Sequence, residues 1–147
     1  MIEFVYYTDF KLKYQKQVSN WLLSLANKEG FLIKNLYYNY VSPDQIQSLN
    51  NEFLKHDYVT DVLAFDYCEG SELSAEVFIC QAEVEKNAKE LSQSVENETL
   101  RVLCHALFHL CGHKDNNSKD LAVMRSAEDK AIIDCVLDMK CTGVPSK

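Results

Sequence analysis

Two histidines four residues apart, His105 and His109, are followed by Gly112 and then by Asp115. Four residues of α-helix turn through roughly 400°, so both imidazoles leave one face, a turn apart, and can share a metal ion. Gly112 can take the left-handed conformation that ends a helix. That reverses the chain and brings Asp115, or else His113, back toward the same ion; the spacing favours Asp115. Three protein ligands with a fourth position open are the arrangement of a catalytic rather than a structural zinc. The expected cofactor is one divalent ion, Zn2+ first, although imidazole and carboxylate also suit nickel.

A bare pair of helical histidines is often satisfied by carbonyls or solvent, so the surrounding helix has to argue for more. Leu100, Leu103, Leu107 and Leu110 make an apolar stripe at helical spacing, and the histidines point to the other side. That side is not polar either, since Val102, Ala106 and Phe108 flank the imidazoles. A helix apolar nearly all round belongs in the interior. The histidines are therefore expected to line a sheltered cleft.

The elements that must position this helix are legible from periodicity. A strand is predicted over about 2–7 and a helix from near Asp9 to Lys28, with Val18, Trp21, Leu22 and Leu25 on its buried face and Gly30 as its stop. A second strand falls at about 36–41. Ser42, Pro43 and Gln45 form a helix start, with Ser42 and Gln45 as a capping box; Ile46, Leu49 and Phe53 bury that helix. Strands at about 61–67 and 76–80, joined by a turn at 68–74, precede a helix using Val84, Ala88 and Leu91. The histidine helix, about 97–111, is followed by a last one over about 119–139, using Leu121, Met124, Ile132 and Cys135. The order βαβαββααα is α+β: a small four-stranded sheet packed with about five helices, the metal site on a late central helix.

Composition sets the bounds. In 147 residues with 47% hydrophobic content and few glycines or prolines, a single domain over 1–147 with a sizeable core is expected. No stretch has the length of a membrane span and residues 1–7 do not read as a secretory signal, so a soluble, cytoplasmic protein is expected, with no membrane partner and no organic cofactor. Six cysteines lack any C-x-x-C pair; reduced thiols are the simpler reading, with Cys104 and Cys111 packing on the leucine stripe. The net charge of −7 arises beyond residue 60, which disfavours nonspecific nucleic-acid binding. A basic groove can still be built from Lys11, Lys13, Lys16, Lys34 and Lys55.

These residues resemble the YbeY-type rRNA maturation factors, a family of metal-dependent endoribonucleases. The family segment H-G-x-L-H-L-x-G-Y-D-H is matched at His105, His109, Leu110 and Gly112, with Leu107 one position off. A second segment, L-N-x-x-[YF]-R-x-x-D-x-x-T-D-V-L-S-F, is matched at Leu49, Asn50, Phe53, Asp57, Thr60, Asp61, Val62, Leu63 and Phe65. A third, M-x-x-x-E, is matched at Met124 and Glu128. There are departures. The family's last histidine is Asp115 here, an acceptable zinc ligand whose charge makes water bound to the ion less acidic. Its tyrosine is His113 and the following aspartate is Lys114. The arginine before the D-x-x-T-D run is Leu54, with Lys55 beside it as a point charge lacking the bidentate fork. The glycine and aspartate that open the later strand are Ala75 and Glu76.

The resemblance implies hydrolysis of a phosphodiester in single-stranded ribosomal RNA, with small-subunit precursors (the 16S rRNA 3′ end) as the target, a part in ribosome quality control, and a ribosome or small subunit as partner. His105, His109 and Asp115 are the expected metal ligands. The expected catalytic set is His113 as a proton carrier or rival ligand, Lys55 at a phosphate, Asp61 positioning RNA together with Thr60, and Glu128 orienting a ligand. Ordinary strand-start capping for Asp61, a solvated position for Glu128 and a surface position for His56 are the plainer alternatives. Two rival functions remain. A metalloprotease would need a glutamate after the first histidine, where Ala106 stands. A non-catalytic, metal-stabilised ribosome-assembly factor is favoured by Leu54.

Overall fold

The computed structural model describes the backbone of residues 1–141 and side chains through residue 135. Its elements are β1 (Ile2–Tyr6), α1 (Gln15–Lys28), β2 (Leu32–Tyr40), α2 (Pro43–Leu54), β3 (Val62–Asp66), β4 (Glu72–Ile79), α3 (Gln81–Glu90), α4 (Val95–Leu110) and α5 (Ser118–Cys141). The fold is α+β, a four-stranded sheet with five helices. The strand order is β1-β2-β4-β3. β1 and β4 run parallel to β2, while β3 runs antiparallel to β4 at the sheet edge.

Strand side chains alternate between faces, and the sheet divides two clusters accordingly. On one face Leu36, Tyr38, Tyr40, Leu73, Val77 and Ile79 join the apolar sides of α1, α4 and α5. On the other, Ile46 of α2 packs with Val41, Leu63 and Cys80, and with half-buried Phe65 and Phe78. Two buried side-chain hydrogen bonds tie the layers together. Tyr38 donates from its hydroxyl to the Leu103 carbonyl at 3.1 Å, and Trp21 Nε1 donates to the Ala131 carbonyl at 2.9 Å. α4 thus lies at the centre, packed against α1, α3, α5 and β3.

Several boundaries differ from expectation for local reasons. α1 starts at Gln15 rather than near Asp9, because residues 8–14 satisfy their backbone otherwise: the Phe10 N–H donates to Thr8 Oγ1 and the Leu12 N–H to the Tyr6 hydroxyl. Tyr14, at φ 58°, then enters the helix from a left-handed position. β2 and β4 both begin about four residues early, since Leu32–Asn35 pairs with Glu72–Ser74 across a register shift. The connecting turn is shorter to match, closed by reciprocal hydrogen bonds between Glu69 and Glu72. Phe53, Leu91 and Leu121 are exposed rather than buried. Leu91 caps the end of α3, beyond its buried stripe.

Cys104 is buried in the core and Cys111 half-buried against it, as packing residues; Cys68, Cys80, Cys104 and Cys111 are free thiols. The Cys141 side chain lies outside the described residues, as does the end of the expected 1–147 unit. Among the described residues no helix is long and apolar enough to cross a membrane.

Candidate metal centre

α4 carries the site, and both its ends are fixed by local chemistry. Ser94 is the N-cap, its hydroxyl accepting from the Asn97 N–H at 3.0 Å, with Glu96 and Glu98 in the first turn favoured by the helix dipole. At the other end Gly112 sits at φ 98°. Its N–H donates to the His109 carbonyl, and the His113 N–H donates to the Phe108 carbonyl. That pair of bonds is the Schellman motif, which places the residue after the glycine against the one three before the cap. The His113 ring accordingly lies 5.1 Å from the Phe108 ring, and its Nε2 meets Glu29 at the end of α1.

The same reversal carries Asp115 back over the histidines. One carboxylate oxygen lies 3.3 Å from His109 Nε2, the other 3.8 Å from His105 Nε2. One ligand atom from each of the three residues lies within 4.8 Å of the others. A tetrahedron with metal–ligand bonds of about 2.1 Å has edges of roughly 3.4 Å, so the approaches to Asp115 already have the scale of a coordination shell. The donor set, two imidazoles and one carboxylate, is that of an open zinc site. These residues fit a divalent ion.

Behind His105 the site is anchored by residues that never reach the cleft. His105 Nδ1 lies 2.7 Å from Glu128 Oε2, and a carboxylate facing it makes Nδ1 the protonated nitrogen, leaving Nε2 free to ligate. Glu128 is only 1% exposed, so it is not a solvated helix residue. Its other oxygen accepts from Arg101 Nη1 at 2.9 Å, and Arg101 Nη2 reaches Asp129 at 2.5 Å. Arg101 also lies 3.7 Å from Glu98, whose carboxyl is pushed up by burial against the pull of the guanidinium. The Glu128 hydrogen bond, helped by the charges of Glu128, Asp115 and Asp61 against the opposing effect of burial, holds His105 above the ordinary imidazole value. Arg101 was missed by sequence reasoning. It stands one turn before His105 as the lone cation within an otherwise apolar stretch, and that spacing was the available signal.

A cleft of about 350 Å³ opens over these three residues, His105, His109 and Asp115, walled by Thr60 to Ala64 on one side and by the three with Ala106 on the other. Asp61 precedes β3, its carboxylate accepting from Asn87 Nδ2 at 3.2 Å and from the Thr60 hydroxyl at 3.5 Å. The structure therefore brings together His105, His109, Asp115, Thr60 and Asp61, with Glu128 directly behind. Two expected residues stand elsewhere. His113 is drawn onto Phe108 and Glu29 by the helix-ending motif and does not line the cleft. Lys55 ends α2 at φ 60° and is likewise absent from the walls.

A sequence profile described as Endoribonuclease YbeY matches residues 5–135. The chain belongs to the YbeY family. It is 37% identical over 132 residues to the Endoribonuclease YbeY of Flavobacterium johnsoniae, covering 90% of this chain and 95% of that one. With the Endoribonuclease YbeY of Phocaeicola vulgatus it shares 36% over 118 residues, 80% and 86% of the two chains. A solution structure from Thermotoga maritima superposes with a TM-score of 0.65 at 28% identity, covering 97% of this chain and 93% of that one. In this YbeY chain the carboxylate of Asp115 stands where the family segment ends in histidine, and it is the group that faces both imidazoles.

Proposed function

We propose that this chain is a single-domain, metal-dependent endoribonuclease that cleaves single-stranded ribosomal RNA during ribosome maturation in the cytoplasm, with zinc as its ion. Small-subunit rRNA precursors, including the 16S 3′ end, are its proposed substrate, and the ribosomal particle is its partner in processing and quality control. The observation that carries this reading is the meeting of His105, His109 and Asp115 at one point in an open cleft, in a chain of this family. An ion bound there supplies a Lewis acid for a phosphoryl oxygen and lowers the pKa of water.

The chain's own residues have distinct tasks. Nε2 of both histidines and a carboxylate oxygen of Asp115 would hold the ion. Glu128, gripped by Arg101, fixes the tautomer and ring orientation of His105. Asp61 and Thr60 face the ligands across the cleft, where a ribose hydroxyl or a water can be oriented by hydrogen bonds to them. We assign Lys55 to a flanking phosphate rather than to the reacting one, since it lies outside the walls. His113 acts structurally on this reading, holding the Gly112 turn through Phe108 and Glu29.

Metal-loaded protein incubated with matched single- and double-stranded RNA tests the proposal. Cleavage of the single strand alone, abolished by a chelator and by His109→Ala, is expected. Loss of fold in His109→Ala, with no cleavage by wild type under any divalent metal, would instead favour the assembly-factor reading suggested by Leu54. Proteolysis has little to support it, because Ala106 leaves the general-base position without a carboxylate.

A further inference from the structure

The loop between α2 and β3 presents a pair of rings that the ligand cluster does not use. His56 and Tyr58 stack with centroids 5.3 Å apart and planes 17° from parallel, and the Tyr58 hydroxyl meets His56 Nδ1 at 3.1 Å. Tyr58 is 50% exposed, and His56 is exposed as well. The stack is held from beneath: buried Asn50 donates from Nδ2 to the Tyr58 carbonyl at 3.0 Å, and the His56 N–H donates to the Asn50 carbonyl. Asp57, between them in sequence, accepts from Gln47 Nε2 at 3.3 Å, and Lys55 immediately precedes His56 in the chain. Thr60, which lines the cleft, follows two residues later, within about 7 Å along the chain.

We infer that the His56–Tyr58 stack, with Lys55 beside it, is the platform on which a base of single-stranded RNA rests as the strand approaches the metal cleft. Bases of single strands are bound by stacking on exposed aromatic rings, with cations at the intervening phosphates. Here a lysine, a flat π surface and the cleft wall occur in that order along one loop. A pair already stacked and pinned loses little freedom when a third ring is added. The chain is acidic overall, so stacking supplies affinity that general electrostatics does not. The inference rests on the nuclease reading but can fail independently of it.

The test uses zinc-loaded protein and a single-stranded 2′-O-methyl octamer carrying 2-aminopurine, whose fluorescence falls on stacking. Tyr58→Ala is expected to weaken octamer binding about tenfold and to abolish the quenching, while Tyr58→Phe behaves as wild type. Zinc content and Tm stay unchanged in both, and an RNA duplex of equal length binds both alike. In cleavage assays KM rises and kcat is unaltered. Octamer binding and quenching by Tyr58→Ala equal to wild type would overturn the inference, as would an equal loss with duplex; a surface reserved for a protein partner gives the former. If stacking depends on Tyr58 but no RNA is ever cleaved, the platform stands and the nuclease reading falls. Cleavage by Tyr58→Ala with an unaltered KM has the reverse meaning.

Discussion

Glu128 accepts the Nδ1 proton of His105 at 2.7 Å while its other oxygen is held by Arg101 at 2.9 Å. The carboxylate is buried, and the imidazole it orients faces the cleft. Such partners fix the tautomer of a ligand and raise its basicity. Glu128→Gln should therefore lower zinc affinity about 10–100-fold without removing the site, as measured by competition with a chromogenic chelator. An unchanged affinity would show that His105 needs no orienting partner.

Arg101 is the other half of that arrangement. Arg101→Met leaves Glu128 buried with its guanidinium partner gone, a loss that costs about 3 kcal/mol in comparable buried pairs. Metal-free Arg101→Met should unfold at lower urea than wild type, and bound zinc should restore part of the difference by mass action. Denaturant titration with and without zinc checks both statements.

The raised pKa of His105 gives opposite pH signatures to the metal-free and loaded protein. Without metal, the His105–Glu128 pair contributes stability fully below the ordinary imidazole pKa of about 6.5, and that contribution is lost as pH rises through the raised folded value. A metal requires a free Nε2, so zinc affinity rises over the same interval. The wild-type Tm should exceed that of Glu128→Gln most at low pH when no metal is present. Zinc affinity should climb with pH across the same window.

Gly112 ends α4 at φ 98°, and nothing lies within 4 Å of where a Cβ would stand. Gly112→Ala therefore meets no clash, only the cost of a left-handed alanine, about 1–2 kcal/mol. Because Asp115 is delivered by this turn, the strain should also appear as weaker zinc binding. A Tm scan and a zinc titration on the same sample check the coupling.

How much of this was readable beforehand follows the range of the forces involved. The histidine pair, the Gly112 stop and Asp115 lie within eleven residues, so helix geometry and one glycine sufficed to bring them together. The capping box at Ser42 and Gln45 was equally local, and both of its hydrogen bonds are present. Glu128 and Arg101 meet His105 only because α5 packs on α4, a contact that periodicity alone does not assign. His113 was ambiguous for a related reason. Spacing allowed it near the ion, but the hydrophobic contact of the helix-ending motif and Glu29 from α1 draw it away. The late start of α1 depended on the Tyr6 hydroxyl capturing the Leu12 N–H, which no propensity reports.

The most direct measurement is the zinc content of purified wild type beside Asp115→Ala and His113→Ala. One ion per chain in wild type and in His113→Ala, with loss in Asp115→Ala, is the predicted result. Full occupancy in Asp115→Ala would contradict the ligand set on which the proposed chemistry stands.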